Sequence, residues 1–322
     1  MKSYELSDFS ELLLKLYDHA QSQPLDAFQD AALNLVKPLV SFDTAIWGTA
    51  TMTPRGPDIH QVHLHKTSQE MLDAYELVKH EDTAALSVAR HGTMTDGFHS
   101  KTRFAKTECG EFLSRFEHEN FFVSMKTNPV TNFLQWISLY RADGEAHCTG
   151  DERDLVDTLR PHLMQALALN RGLHLERLAP LAGLKQGFAV ADLRGVVYQS
   201  DPLFETLLGQ EWAGWHPDVL PAKLLDELLA GQEQVIGLRV VVRRHVEHGL
   251  LFLRARARCR ADALSLRERA IALRIAQGET HKEIARHLAR APATVRNQIQ
   301  AIYAKLGVDS IAGLIEAIRP LR

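Results

Sequence analysis

Arg296, Asn297 and Gln300 fall within five residues of one another in the stretch PATVRNQIQAIYAKL. These are the side chains that read base edges in the major groove. Arg pairs two hydrogen bonds with guanine, and Asn or Gln does the same with adenine. Lys282, Arg286, Arg290 and Lys305 flank them, and cations so placed suit phosphates. Thr280, Ala293 and Thr294 complete the candidate contact set. The bland alternative is a helical bundle whose polar face meets only water.

Other groups are weaker candidates. Trp47, Tyr75, Asp82 and Trp136 combine aromatic surface with a carboxylate, a composition suited to a small-molecule pocket. Equally, the two tryptophans suit a plain core. His63 and His65 share a strand face while His60 points away. With no carboxylate or thiol at ligand spacing, they are read as surface or pocket residues, and no metal site is expected. There is no G-x-x-x-x-G-K-[ST] or G-x-S-x-G motif and no persuasive Cys–His arrangement. No catalytic residue and no cofactor are therefore assigned.

The elements that must hold Arg296 and its neighbours are legible in residues 264–319. Ser265 and Glu268 form a capping box that opens one helix, and Gly278 closes it. Thr280 and Glu283 open a second, short helix in the same way. Pro292 suits the first position of a third helix, which runs to Gly307. Val295, Ile299, Ile302 and Leu306 give that helix one apolar stripe, with Arg296, Asn297 and Gln300 opposite. Asp309 or Ser310 caps a fourth helix that Pro320 stops. Its stripe is Ile311, Leu314, Ile315 and Ile318, which either closes the small domain or pairs two subunits.

A short helix, a turn and a longer helix with a polar face make the helix-turn-helix plan. The segment resembles the C-terminal domain of the LuxR family of bacterial transcription regulators. The resemblance rests on Leu264, Arg267-Glu268, Gly278, Glu283-Ile284-Ala285, Leu288, Thr294-Val295, Ile302-Tyr303, Lys305-Leu306-Gly307-Val308 and Leu314. Ala291, Ala293 and Gln298 depart from the family's usual Ser, Lys and His. The resemblance implies double-stranded DNA as partner and a homodimer paired through the fourth helix.

The rest of the chain fits a body that controls such a reader. Residues 262–322 hold ten Lys/Arg against six Asp/Glu, a balance of +4. The whole 322-residue chain carries −3, so the remainder carries −7. Cys109, Cys148 and Cys259 are odd in number and widely spaced, which suits a reducing cytoplasm. The first residues, MKSYELSDFSELL, show no apolar signal core, and no stretch is long enough to span a membrane.

Helices over residues 5–40 precede a hairpin, Phe42–Met52 and Ile59–His65, turned at Pro54-Arg55-Gly56-Pro57. A helix over 68–90 and one near 109–118 follow. Strands over 120–127 and 131–141 flank Asn128-Pro129, and the second, apolar on both faces, is expected to be central. Thr149 and Glu152 cap a long helix containing Pro161. This succession suggests a sensor domain of GAF type, and FDTAIWG and LRPHLMQALAL resemble the N-terminal regions of some LuxR-family regulators. Residues 183–258 read as strand, turn, strand, short helices and a long hairpin, a pattern similar to a PAS domain. That hairpin, Val235–Val246 with Leu250–Arg258, leads into a run of arginines: Arg239, Arg243, Arg244, Arg254, Arg256, Arg258 and Arg260. The run is either a solvated strand edge or an auxiliary phosphate-contacting or inhibitory face beside the reader.

The expected fold is thus an α+β multidomain chain. A GAF-like sensor spans 1–178, a PAS-like module 180–260, and a four-helix LuxR-type reader 262–322. The expected function is a cytoplasmic, non-enzymatic, DNA-binding transcription regulator. A small-molecule effector and RNA polymerase are further partners left open. The alternatives are control by a partner protein, or an enzyme or metal-binding sensor tethered to DNA. In domain order the chain also resembles the acyl-homoserine-lactone receptors. It departs from them at Asp82, which Thr83 follows, and in the added 183–258 module.

Overall fold

The computed structural model describes residues 6–128, 131–178 and 185–319. Pro129, placed above between two strands, and Pro320, read above as a helix stop, lie outside the described residues. The chain forms two compact units, Met1–Leu178 and Ala179–Arg322.

The first unit is built on a five-stranded antiparallel sheet. Two helices lead in, α1 (Leu6–Ser22) and α2 (Phe28–Val36). The expected hairpin follows as β1 (Thr44–Thr53) and β2 (Gly56–His65). Next come α3 (Gln69–Val78), α4 (Thr83–Arg90), β3 (Thr93–His99), α5 (Ser100–Arg103) and α6 (Glu108–Arg115). Then β4 (Asn120–Thr127), β5 (Phe133–Arg141) and the long α7 (Gly150–Leu178) complete it. The order β2-β1-β5-β4-β3 makes β5 central, as its two-faced apolar pattern requires.

Strand alternation splits this sheet's apolar residues between two cores. Trp47, Phe122 and Ile137 pack with α1, α2 and α7. Ile46, Phe121 and Trp136 pack on the other face with α3, α4 and α6. Two local readings change. The helix expected over 68–90 is interrupted, because Asp82 turns out as the cap of α4 and accepts from the Ala85 amide. The strand β3 went unread, since Thr93–His99 mixes polar and apolar residues on a partly buried edge.

The second unit opens with β6 (Gly187–Asp192) and β7 (Val197–Ser200). Asp201 caps α8 (Pro202–Glu211), and α9 (Ala222–Leu229) follows. The long strand expected from Val235 is broken into β8 (Gln234–Ile236) and β9 (Val240–Glu247). The cause is Glu211, whose carboxylate accepts from the Leu238, Arg239 and Val240 amides and bends the chain at Gly237. A Cβ on Gly237 would meet that carboxylate at 2.6 Å. β10 (Leu250–Ala257) completes the sheet, whose order is β7-β6-β10-β9-β8. Counted from its own first strand, this is the same order as in the first sheet. Four helices end the chain: α10 (Leu266–Ala276), α11 (His281–His287), α12 (Pro292–Leu306) and α13 (Ile311–Ala317). The fold mixes helix and sheet, with two five-stranded antiparallel sheets and a helical end. Among the described residues no helix is long and apolar enough to cross a membrane.

Candidate nucleic-acid interface and sensor cavity

Both expected capping boxes form. Ser265 and Glu268 exchange bonds of 2.9 and 3.3 Å, and Thr280 and Glu283 exchange bonds of 2.8 and 3.4 Å. Gly278 leaves α10 at φ +89, and Gly307 leaves α12 at φ +68. Between α11 and α12, Ala289 takes φ +50, and the Arg290 amide donates to the Ala285 carbonyl at 2.9 Å. Ala291 caps α12 with an extended backbone and no side-chain bond.

The rotation of α12 follows from its core side. Val295, Ile302 and Leu306 are buried against Ile271, Ile284 and Ala285, with Ile299 partly buried beside them. Ala293, Thr294, Arg296, Asn297 and Gln300 are exposed on the opposite face. Lys282, Arg286 and Arg290 are exposed as well, as is Thr280. Lys305 differs from the others. Its ammonium sits 2.8 Å from Glu268, tying the end of α12 to the start of α10, and holds that carboxyl below its ordinary range. Lys305 is therefore a brace between helices, and a phosphate must compete with Glu268 for it.

The α13 stripe divides in two. Leu314 and Ile318 are fully buried in the domain core, whereas Ile311 is 57% and Ile315 36% exposed. A partner can touch only the latter pair, since Leu314 and Ile318 have no surface left to offer. Ser310, rather than Asp309, caps this helix and accepts from Gly313.

The arginine run does not form one open face. Arg256 is buried and doubly bonded to Asp262, which also accepts from the Cys259 amide at 2.8 Å. Burial alone would raise the Asp262 carboxyl, but the guanidinium and the amide outweigh it and hold the group below its ordinary range. Arg239, Arg244 and Arg258 donate to the carbonyls of Gln210, Gln232 and Gly237. Arg243 donates to Gln234. Arg260 reaches the Leu306 carbonyl at 3.4 Å, and a Cβ on Gly307 would lie 2.1 Å from its guanidinium. These side chains stitch strands together and fasten β10 to the helices that follow.

In the first unit, Tyr75, Asp82 and Trp136 do meet, around an apolar cavity of about 50 Å³. Ile46, Met71 and Phe121 are among its walls. The Tyr75 hydroxyl donates to Asp82 at 2.7 Å. Burial raises the Asp82 carboxyl and pushes the Tyr75 hydroxyl well above its usual range. Burial also pushes the Cys109 thiol on the same wall up to about 12, so it is an inert thiol at neutral pH. Trp47 is not in this site. It is 2% exposed on the opposite face of the sheet, against Phe28. Gly48, between them in pattern, leaves room for the Trp136 ring, which a Cβ would meet at 2.6 Å.

Sequence reading missed one further arrangement. His63 and His65 do share a face of β2, and α2 lays Asp30 across them. Its Oδ1 is 2.9 Å from His63 Nε2 and 2.6 Å from His65 Nδ1. His60 bonds Thr51 instead. No local signal links Asp30 to the histidines, because the contact crosses more than thirty residues of chain.

Residues 262–318 match the bacterial regulatory proteins of the luxR family. A 68-residue stretch is 46% identical to the "Probable transcriptional regulatory protein NarL" of Mycobacterium tuberculosis, covering 21% of this chain and 32% of that protein. The chain thus spans about a third of the length of the curated relatives it matches. The structure is similar to that of Escherichia coli SdiA, with a TM-score of 0.39 and 11% identity over 96% of each chain. It is also similar to the phycoerythrobilin-bound GAF domain of a cyanobacterial phytochrome. There the TM-score is 0.36 and the identity 12%, over 53% of this chain and 100% of that one.

Proposed function

We propose, from the match of residues 262–318 to the luxR family, that the protein is a DNA-binding transcription regulator whose α12 enters the major groove. The observation that carries the reading is the helix's rotation: Val295 and Ile302 are buried while Arg296, Asn297 and Gln300 are exposed together. Arg296 takes guanine, and Asn297 or Gln300 takes adenine. Lys282, Arg286, Arg290, Thr280 and Thr294 hold the phosphates, with Ala293 close to the backbone. The relative named above is itself described as a transcriptional regulator.

The division of labour we propose is a sensor at 1–178, a PAS-like module at 180–260 and the reader at 262–322. Two copies pair through Ile311 and Ile315 on a two-half-site operator in the cytoplasm, and no catalytic step is assigned to any residue. The cavity bounded by Tyr75, Asp82 and Trp136 is the proposed effector site. At about 50 Å³ it falls short of the several hundred Å³ of drug-sized pockets, so an effector must displace side chains to enter. That small volume also favours a second reading, in which a partner protein on the sensor surface supplies the signal.

The test is binding of Arg296→Ala and Lys282→Ala to an operator library at two salt concentrations. Arg296→Ala loses about 1–3 kcal/mol of discrimination at one base pair. Lys282→Ala weakens all sequences alike and lowers the salt slope by about one. Identical profiles for the two variants mean that the recognition face is misassigned.

A further inference from the structure

We propose that Asp30, His63 and His65 form a binding site for a divalent transition-metal ion of the zinc type. The site lies in the first unit and is separate from the cavity around Tyr75. Among the described residues it is the group of His, Cys, Asp or Glu side chains whose ligand atoms converge, all within 4.8 Å of one another. Two imidazole nitrogens and a carboxylate oxygen are the ligands that zinc accepts, and three protein ligands with a water completing the tetrahedron are the usual open site.

The geometry at the carboxylate needs little adjustment. Ligands about 2.0–2.1 Å from a tetrahedral zinc lie roughly 3.3 Å apart. Asp30 Oδ1 now stands 2.9 Å from His63 Nε2 and 2.6 Å from His65 Nδ1. Opening each gap by about half an ångström admits the ion, and rotation of the carboxylate supplies that much.

The surroundings favour an ion over a simple hydrogen-bonded triad. Both imidazoles aim at the same carboxylate oxygen. His65 is 3% exposed, and its other ring nitrogen, Nε2, has no hydrogen-bond partner among the described residues. Phe42 packs edge-on against its ring, with 5.9 Å between centroids, so the Nδ1 that faces Asp30 is the ring's one polar contact among the described residues. Asp30, by contrast, has its side chain 50% exposed, which leaves an entry path and a face for water. Backbone rigidity completes the argument. His63 and His65 stand opposite Trp47 and Ala45 on β1, so the strand fixes their separation. Two cations lie on neighbouring side chains: Arg171 of α7 donates to Gln61, two residues before His63, and Lys37 sits over the Phe42 ring that packs on His65.

A bound ion would clamp α2 to the edge strand β2. That contact borders the core in which Phe28, Trp47 and the long α7 pack. Metal would therefore stiffen the face of the first unit on which α7 packs.

The experiment uses the full chain, stripped with chelator and titrated with Zn²⁺ by calorimetry, with Mg²⁺ as the hard-cation control. Asp30→Asn and His63→Gln are the site variants, both on partly exposed side chains. His91→Gln controls for the other histidines of a chain that has 16. The expected result is one equivalent of Zn²⁺ for the wild type and His91→Gln, with no Mg²⁺ binding. Each site variant should bind more than tenfold more weakly, at least the cost seen for outer-shell partners. Excess Zn²⁺ should also raise the thermal midpoint of the wild type and leave both site variants unmoved. Three results overturn the proposal: no stoichiometric Zn²⁺, unchanged affinity in Asp30→Asn and His63→Gln, or an equal loss in His91→Gln. Any of them leaves the triad a hydrogen-bonded clamp.

Discussion

Arg256 and Asp262 close a buried, two-bonded ion pair, with contacts of 2.7 and 2.5 Å, six residues apart in the chain. Arg256 belongs to β10, and Asp262 lies in the turn just before α10. The pair joins the last strand of the second sheet to the start of the helical domain. The Cys259 amide and thiol also donate to Asp262, so its carboxylate has four donors and no need of water. A rearrangement of β10 must either carry α10 with it or break this pair.

Removing one partner strands the other as a buried charge. Arg256→Ala should therefore destabilise the second unit by about 3–5 kcal/mol, and Asp262→Asn should follow the same direction. The folded Asp262 carboxyl lies below its ordinary range, so its contribution is full above the unfolded pKa of about 4 and fades as pH falls through the folded value. Urea melts of wild type and Asp262→Asn should differ most near neutral pH and converge in acid. A constant difference across that range rejects the ion pair as the source.

Ala291 occupies a cap position with the right backbone, φ −68 and ψ 139, and no side chain to use it. Ala291→Ser supplies an acceptor for the free amides at the start of α12. The gain should be about 0.5–2 kcal/mol, read as a higher denaturant midpoint with an unchanged slope. No gain would mean that the first-turn amides are already satisfied by water.

Trp47 and Trp136 sit on opposite faces of one sheet, and their variants should separate. Trp47→Ala opens a hole beside Phe28 and should cost about 3–5 kcal/mol, without altering the effector cavity. Trp136→Phe keeps an aromatic ring but widens the cavity. It should lose less stability and shift the effector response of a reporter. Equal stability losses with an unaltered response would remove Trp136 from the proposed site.

Leu314 and Ile315 are adjacent, the one buried and the other partly exposed. Ile315→Glu puts a charge on the exposed side of α13 and should weaken dimerisation, with the domain still folded. Leu314→Glu puts the charge into the core, where an unpaired carboxylate is costly, and should unfold the helical domain. Sedimentation and circular dichroism together decide this. A fully dimeric Ile315→Glu protein would place the subunit contact elsewhere.

Much of the helical domain was legible because its signals are local. A capping box spans four residues, a C-terminal glycine acts on its own backbone, and a stripe such as Val295, Ile299, Ile302 repeats within a single helix. Each is settled by neighbours in the chain, so helix limits, rotation and the exposed set around Arg296 follow from composition and spacing. The central place of β5 was legible for a similar reason, since a strand apolar on both faces must be covered on both.

What only the tertiary structure decided depends on groups brought together through space. Trp47 and Trp136 look alike in sequence, and the strand pairing alone assigns them to different cores, with only Trp136 on the cavity wall. The stripe on α13 is uniform until α10 and α12 cover Leu314 and leave Ile315. Lys305 is a free cation by spacing and a brace once Glu268 arrives from 37 residues away. Asp30 is an ordinary surface acid until α2 lays it across His63 and His65. The local code of capping and periodicity determined which segments become helices and strands. Packing between distant segments, which that code does not carry, decided which of their side chains remain free to act.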